Sequence, residues 1–145
     1  MFYHGHQYHP ADKDLELFFI GCSLKCSGCH NPELQNRTEN IIQKTPLEIF
    51  KEIEPYLTIT KRVLLMGGEP QEQNIDELIQ LCKYIKSYNI NIILFTGYDI
   101  LIDDRIKNYI SSIKFGRYDI SQLGEDNTQN GIKLASKNQH IEEIL

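Results

Sequence analysis

The chain is poor in several features that would direct a reading elsewhere. None of its 145 residues belongs to a run approaching the ~18 apolar residues of a membrane-spanning helix. The N-terminus lacks a basic segment followed by an apolar stretch and a small-residue cleavage site, so a cytoplasmic protein with no membrane partner is expected. Lysine and arginine total 15 against 20 acidic residues, a formal net charge of -5, and they form no cluster. A nucleic-acid backbone needs a basic stripe, so no direct nucleic-acid partner is expected, although small nucleotides remain possible ligands. There are no internal repeats and no low-complexity tract. Cysteine is scarce, four in all, and cytoplasmic thiols stay reduced. Those present therefore read as a metal site rather than a disulfide framework.

Three of the four are Cys22, Cys26 and Cys29, a C-x3-C-x2-C triplet directly after the apolar residues 15–20. Gly21 and Gly28 ease the backbone of a loop short enough to wrap three thiolates around one centre. Cubane clusters in electron carriers take four cysteines; a cubane held by three keeps one iron open to something else. Zinc uses similar spacings with further ligands from elsewhere, and His30, adjacent to Cys29, is badly placed as a fourth. On the triplet alone, an open cluster, zinc and unligated cysteines all stand.

The rest of the chain supplies a scaffold. Residues 15–20 are nearly all apolar, as in a strand covered on both faces. Thr45, Pro46 and Glu48 predict a helix start with N-cap, first-position proline and capping box, a buried stripe of Leu47, Phe50, Ile53 and Leu57, and a last turn weakened by Pro55. A strand over 62–66 precedes a helix over 74–87, where Ile75, Leu78, Ile79, Cys82 and Ile85 recur at helical spacing and make Cys82 a core thiol. A third strand over 90–95, a turn at 96–98, a helical region ending near 111 and a strand over 113–118, interrupted at Gly116, complete the pattern. Strand then helix three times, with glycines at strand C-termini, predicts an α/β fold with a short, mostly parallel sheet of about four to five strands and right-handed crossovers. The whole chain, 1–145, reads as one domain. Residues 1–14 form a leading strap without strand or helix period, whose His4, His6 and His9 read as solvated or edge-packed. Residues 120–145 are less regular, with a loop over 121–131, a short strand over 132–135 and a frayed end.

A second motif, Met66-Gly67-Gly68-Glu69-Pro70, ends the next strand, on the same edge as the cysteine loop if the strands are parallel. Ligands of parallel sheets bind at that edge, and paired glycines let main-chain N–H and C=O groups approach an ammonium or carboxylate. Cysteine triplet and Gly-Gly-Glu-Pro together resemble the radical S-adenosylmethionine superfamily, in particular the activating enzymes of glycyl radical enzymes. The branch most resembled activates anaerobic (class III) ribonucleotide reductase, through the Tyr/His/Pro start, Cys26 to Glu33, Gly67 to Pro70, Thr96-Gly97-Tyr98, Gly116-Arg117-Tyr118, and Ser136 with Asn138-Gln139.

The resemblance implies a [4Fe-4S] cluster on Cys22, Cys26 and Cys29, with S-adenosyl-L-methionine on the fourth iron. Its methionine end would lie at Gly67, Gly68, Glu69 and Pro70, with Thr96 also at the cofactor. Gly28 stands where many superfamily members carry an aromatic residue, which turns the adenine contact toward the backbone of Gly28, Cys29 and His30. Reductive cleavage would yield methionine and a 5′-deoxyadenosyl radical that takes hydrogen from a partner glycine, the electron coming from a low-potential donor such as flavodoxin or ferredoxin. A closed (β/α)8 barrel needs about 250 residues, so a partial, open barrel is expected, with a side through which a glycine-bearing loop enters. Polar residues to grip a small substrate look few, chiefly Arg117 and Asp119. A carboxy-deazaguanine-synthase-like enzyme and a non-catalytic zinc or iron-sulfur module are the other readings.

Overall fold

Leu15, Leu17 and Phe19 alternate with Glu16 and Phe18 along a strand over Asp14–Phe19, the period of two that sends alternate side chains to opposite faces of a sheet. The computed structural model describes residues 1–37, 41, 43–123 and 127–144. Its strands are β1 (Tyr3–His9), β2 (Asp14–Phe19), β3 (Arg62–Gly67), β4 (Asn91–Phe95), β5 (Ser112–Phe115), β6 (Asn127–Gln129), β7 (Ile132–Leu134) and β8 (His140–Glu143). Six of them form one sheet in the order β1-β2-β3-β4-β5-β8. The four central strands are parallel, and an antiparallel strand borders each side. The α/β, mostly parallel sheet is as expected, with one or two strands more. It is open, because β1 and β8 are its two edges.

Helices α1 (Pro46–Leu57) and α2 (Ile75–Lys86) cover one face, called here the outer face. Ile49, Ile53 and Leu57 of α1 and Leu78, Leu81, Cys82 and Ile85 of α2 pack there against Leu15, Leu17, Phe19, Val63, Leu65, Ile92 and Leu94. Each such aliphatic side chain contributes roughly 1.5–3 kcal/mol by leaving water. The capping box forms as predicted, with Glu48 N donating to Thr45 Oγ1 at 3.1 Å and Thr45 N to Glu48 Oε1 at 3.0 Å. The predicted stripe is off by one side: Leu47 is 43% exposed while Ile49 is fully buried. Pro55 does not end the helix, which runs on to Leu57. Cys82 is a core thiol, its pKa pushed up to about 12 by burial.

The opposite, inner face is capped by a β6–β7 hairpin, whose Ile132 and Leu134 cover Leu64 and Ile93. Its turn, Asn130-Gly131, has φ of 51° and 75°, the pair of left-handed residues a two-residue hairpin requires. Arg62 ties it down, donating to Asn130 O at 3.0 Å while gripping Asp14 with two 2.7 Å bonds.

Three sequence expectations change. The leading strap is strand β1, paired along its length with β2; histidines and tyrosines hid a strand that half-faces water. Where a frayed end was expected over 141–145, His140–Glu143 form a strand, β8, antiparallel to β5; residue 145 lies outside the described residues. The helical region before residue 111 is a 3-10 segment, Asp104–Tyr109. Part of the irregular stretch 34–44 and of the loop 121–131 lies outside the described residues. Among the described residues no helix is long and apolar enough to cross a membrane.

Candidate functional site

Because β2 to β5 are parallel, the loops that follow them meet at one edge. The cysteine loop leaves β2 through Gly21, whose N donates to Leu34 O at 2.7 Å, while Cys22 N donates to Gln35 O at 2.9 Å. It then turns tightly, with Cys29 N on Cys26 O at 3.1 Å and left-handed residues at Lys25 and Gly28. Glu72, just beyond β3, clasps it: Ser23 N donates at 3.1 Å and Ser23 Oγ at 2.7 Å to its carboxylate, which also takes the Tyr98 hydroxyl at 2.9 Å. Arg37 braces the far side through Ile20 O at 3.1 Å and Glu72 O at 2.9 Å, its guanidinium stacked 4.1 Å over Phe2. The cysteine loop is thus fixed by partners that are not cysteines.

Gly67 and Gly68 have a steric reason of their own. A Cβ on Gly67 (φ +104°) would lie 2.5 Å from Phe19 N, and one on Gly68 would lie 2.6 Å from Gly21 O and 2.8 Å from Leu34 O. All are backbone atoms that cannot yield. Gly68 N and Glu69 N donate to Phe19 O and Gly21 O, both at 2.8 Å. These N–H groups therefore hold the cysteine loop rather than stay free for a ligand, which corrects the expectation drawn from the sequence; the carbonyls are what the turn can offer.

Glu69, 1% exposed, is the hub that joins the ends of β3 and β4. Its carboxylate accepts from Gln71 N at 2.9 Å, Gly97 N at 2.7 Å and Thr96 Oγ1 at 2.9 and 3.0 Å. Burial raises its pKa despite those bonds and the nearby Lys114 charge. Thr96 Oγ1 in turn accepts from Gln71 Nε2 at 2.8 Å and Tyr98 N at 3.1 Å. Gln71 also fastens the next loop, through Ile100 O at 3.1 Å and Ile102 N at 2.7 Å.

These elements wall a cavity of about 780 Å3. Cys22, Cys26, Cys29, His30, Gly67, Gly68, Glu69 and Thr96 all line it, so most of the residues singled out in the sequence come together. Pro70 is buried at the start of a 3-10 turn and lies outside the lining, as does Gly28. A Cβ on Gly28 would come 3.0 Å from Ile120 and 3.3 Å from Tyr118, so that glycine makes room for the segment after β5. The Tyr118 ring sits 4.6 Å from the His30 ring, supplying an aromatic neighbour from far along the chain. Arg117 lines the cavity and donates to Leu24 O at 2.9 Å. Asp119 instead caps its own turn through Ser121 and Gln122.

Lys114 is one lining residue that the sequence reading of the site passed over, and Gln139 one that it met only within the Ser136–Gln139 motif. Lys114, on β5, is 8% exposed; burial pushes its pKa down to about 8 against the pull of Glu69 and Cys26. Its only trace in the sequence is a lysine inside an apolar strand. Gln139 accepts from Ala135 N at 2.8 Å and Ser136 N at 3.2 Å and donates to Gly116 O at 3.2 Å, which fixes the wall beside β5.

The donor set suits an iron-sulfur cluster. Cys22, Cys26 and Cys29 are free thiols on one cavity wall, where each can serve a different iron. Among the described residues no three His, Cys, Asp or Glu side chains are gathered closely enough for a single metal ion. Together, fold and site bring three free thiols to the C-terminal edge of a parallel sheet, a donor set that fits an iron-sulfur cluster. The chain belongs to the 4Fe-4S single cluster domain family, whose model matches residues 13–141, and is a protein of the radical S-adenosylmethionine type.

It is 29% identical over 102 residues to a Methanocaldococcus jannaschii protein provisionally named a glycyl-radical enzyme activating enzyme, an alignment covering 69% of this chain and 40% of that one. It is 34% identical over 85 residues to the 7-carboxy-7-deazaguanine synthase of Bacteroides thetaiotaomicron, covering 56% and 43% respectively. The crystal structure of QueE from Escherichia coli is similar in fold, with a TM-score of 0.51 at 13% identity, covering 86% of this chain and 56% of that one. The chain therefore spans about two fifths of the length of these two curated relatives.

Proposed function

We propose that this chain binds S-adenosyl-L-methionine at a [4Fe-4S] cluster on Cys22, Cys26 and Cys29 and cleaves it reductively, so that the 5′-deoxyadenosyl radical takes a hydrogen atom from a substrate. One observation carries the reading: the three thiols and the Gly67-Gly68-Glu69 turn, from the ends of adjacent parallel strands, face one cavity. When bound, the cluster would supply the electron and an iron site for the cofactor. The chain's own residues do the positioning. Glu72 and Arg37 hold the cysteine loop, Gly68 lets it lie against the β3 turn, and the Glu69–Thr96–Gln71 network fixes the loops around the cofactor.

The substrate we favour is a backbone glycine of a glycyl radical enzyme, with anaerobic ribonucleotide reductase as the partner and a flavodoxin or ferredoxin as electron donor. The open sheet and the exposed Ile100, Ile102, Ile120 and Leu123, on the loops after β4 and β5, support entry of a protein loop. The resemblance of the motifs and the activating-enzyme relative support it as well. Lys114 in the cavity favours a second reading, a small carboxylate-bearing substrate, in keeping with the relative named for a 7-carboxy product.

The test is anaerobic reconstitution with iron and sulfide, then dithionite and S-adenosyl-L-methionine. Wild type is expected to release 5′-deoxyadenosine and Cys26→Ala none; a loaded wild type that releases none removes the enzymatic reading. Adding purified anaerobic reductase should then give a glycyl radical doublet in electron paramagnetic resonance. Release without that doublet moves the substrate to the small-molecule reading.

A further inference from the structure

Gln71, Glu72 and Gln73 all act as tethers, and only the middle one is charged. Gln71 fastens the loop after β4 through Thr96, Ile100 and Ile102. Gln73 joins the start of β1 to the end of β2, accepting from Phe2 N at 2.8 Å and donating to Ile20 O at 2.9 Å. Glu72 holds the cysteine loop, its carboxylate accepting from Ser23 N at 3.1 Å, Ser23 Oγ at 2.7 Å and the Tyr98 hydroxyl at 2.9 Å. Neutral amides suffice on either side, so tethering alone does not account for a carboxylate at 72. Among the described residues no lysine, arginine or histidine pairs with it; Arg37 donates to the main-chain oxygen of Glu72 instead. Its charge is therefore brought to Ser23, the residue directly after Cys22, without a counterion.

Reducing a cluster adds negative charge, so a nearby carboxylate opposes the step and N–H groups aimed at the sulfurs favour it. Both levers are set in one direction here. Ser23 N–H is taken by Glu72, Cys22 N–H by Gln35 O at 2.9 Å and Cys29 N–H by Cys26 O at 3.1 Å. Main-chain donors at and beside the thiols thus turn to oxygens rather than to sulfurs, while Glu72 supplies the negative charge.

We propose that Glu72 is a positioning residue whose charge, carried to the cysteine loop through Ser23, lowers the reduction potential of a cluster on Cys22, Cys26 and Cys29. A cluster so held gives up its electron more readily, as breaking a sulfonium bond requires. The inference rests on the cluster of the function proposed above, and on neither cofactor cleavage nor the choice of substrate.

Glu72→Gln separates charge from tether, because the amide oxygen can still accept from Ser23 N while its nitrogen donates to the hydroxyl oxygens of Ser23 and Tyr98. The experiment is a potentiometric titration of anaerobically reconstituted protein with titanium(III) citrate, without cofactor, read by electron paramagnetic resonance of the reduced cluster. Wild type, Glu72→Gln and Tyr98→Phe are compared at matched iron content and unfolding midpoint. Glu72→Gln should favour reduction about tenfold, an upward shift of about 59 mV for one electron. Tyr98→Phe strips a donor from the carboxylate and should move the potential the other way by a smaller factor. Wild type and Glu72→Gln within about twofold of each other at equal loading overturn the proposal, since a mere tether changes iron content and leaves the potential alone. If Glu72→Gln loads too little iron to titrate, a Tyr98→Phe potential at or above wild type overturns it and one below supports it. Wild type that takes up no cluster sinks this inference and the proposed function together. A loaded wild type that releases no 5′-deoxyadenosine sinks the function alone, and the potentials still decide Glu72.

Discussion

The two faces of the sheet obey different rules. The outer face is apolar, mostly aliphatic, closed by α1 and α2, and its core side chains are buried to the last few per cent. The inner face begins at its lower end with the Asp14–Arg62 pair and the β6–β7 hairpin, passes through a small apolar layer, and ends in a cavity that holds a buried cation and three thiols. Stability is concentrated on the first face and chemistry on the second. A face built for packing has no reason to keep volume empty; a face built for ligands must leave groups unfinished.

The sharpest way to break that contrast is at the seam between them. Gly68→Ala would drive a Cβ into the backbone at Gly21 and Leu34, so the cysteine loop could not lie against the β3 turn. Iron bound after reconstitution is expected to fall to less than about a tenth of wild type, beyond what the loss of a glycine's flexibility explains; normal loading would mean that the close approach is dispensable.

Substitution on the outer face should cost stability alone. Leu17→Ala, at a fully buried position, should lower unfolding stability by about 2–5 kcal/mol in a urea titration, while reconstituted protein that remains folded keeps its iron. On the inner face the sign reverses. Lys114 is pushed down to about 8 in the folded chain against about 10.4 when unfolded. Between those pH values the unfolded chain binds more protons, so native stability rises with pH through that window and the cost is full below it. Lys114→Met should therefore stabilise cluster-free protein by roughly 2–3 kcal/mol at pH 7, an advantage that fades above pH 10. A destabilised variant at pH 7 would contradict it. The smallest effect belongs to neither face: Thr45→Ala removes the capping box of α1 and should cost about 1 kcal/mol, with cofactor cleavage unchanged per loaded protein.

The outer face was legible because alternation and helical spacing record burial directly, down to Thr45, Pro46 and Glu48 at the start of α1. Leu47 misled because apolar spacing alone does not say which side of a helix turns inward; Ile49, Ile53 and Leu57 define that side, and Leu47 lies round from it, 43% exposed. The two edge strands were missed for a different reason. Tyr3–His9 and His140–Glu143 carry polar residues on their wet sides, and strands there are identified by pairing rather than by composition. Asn130-Gly131 was a readable hairpin turn inside what looked like loop.

In the site, the cysteines and glycines were found by spacing, since one loop carries each motif. Lys114, Tyr118 and Gln139 come from β5 and beyond, and only the parallel order of the strands brings them to the cavity. Gly67 and Gly68 were found for a reason that proved incomplete: their missing side chains make room for the cysteine loop.

The claim on which the rest depends is that three sulfurs leave one iron for an exchangeable ligand. Electron paramagnetic resonance of the dithionite-reduced, reconstituted protein, recorded with and without S-adenosyl-L-methionine, tests it most directly. The account predicts a cluster signal whose shape changes when the cofactor is added. A signal that the cofactor leaves untouched, or a protein that takes up one zinc and no iron, would contradict it.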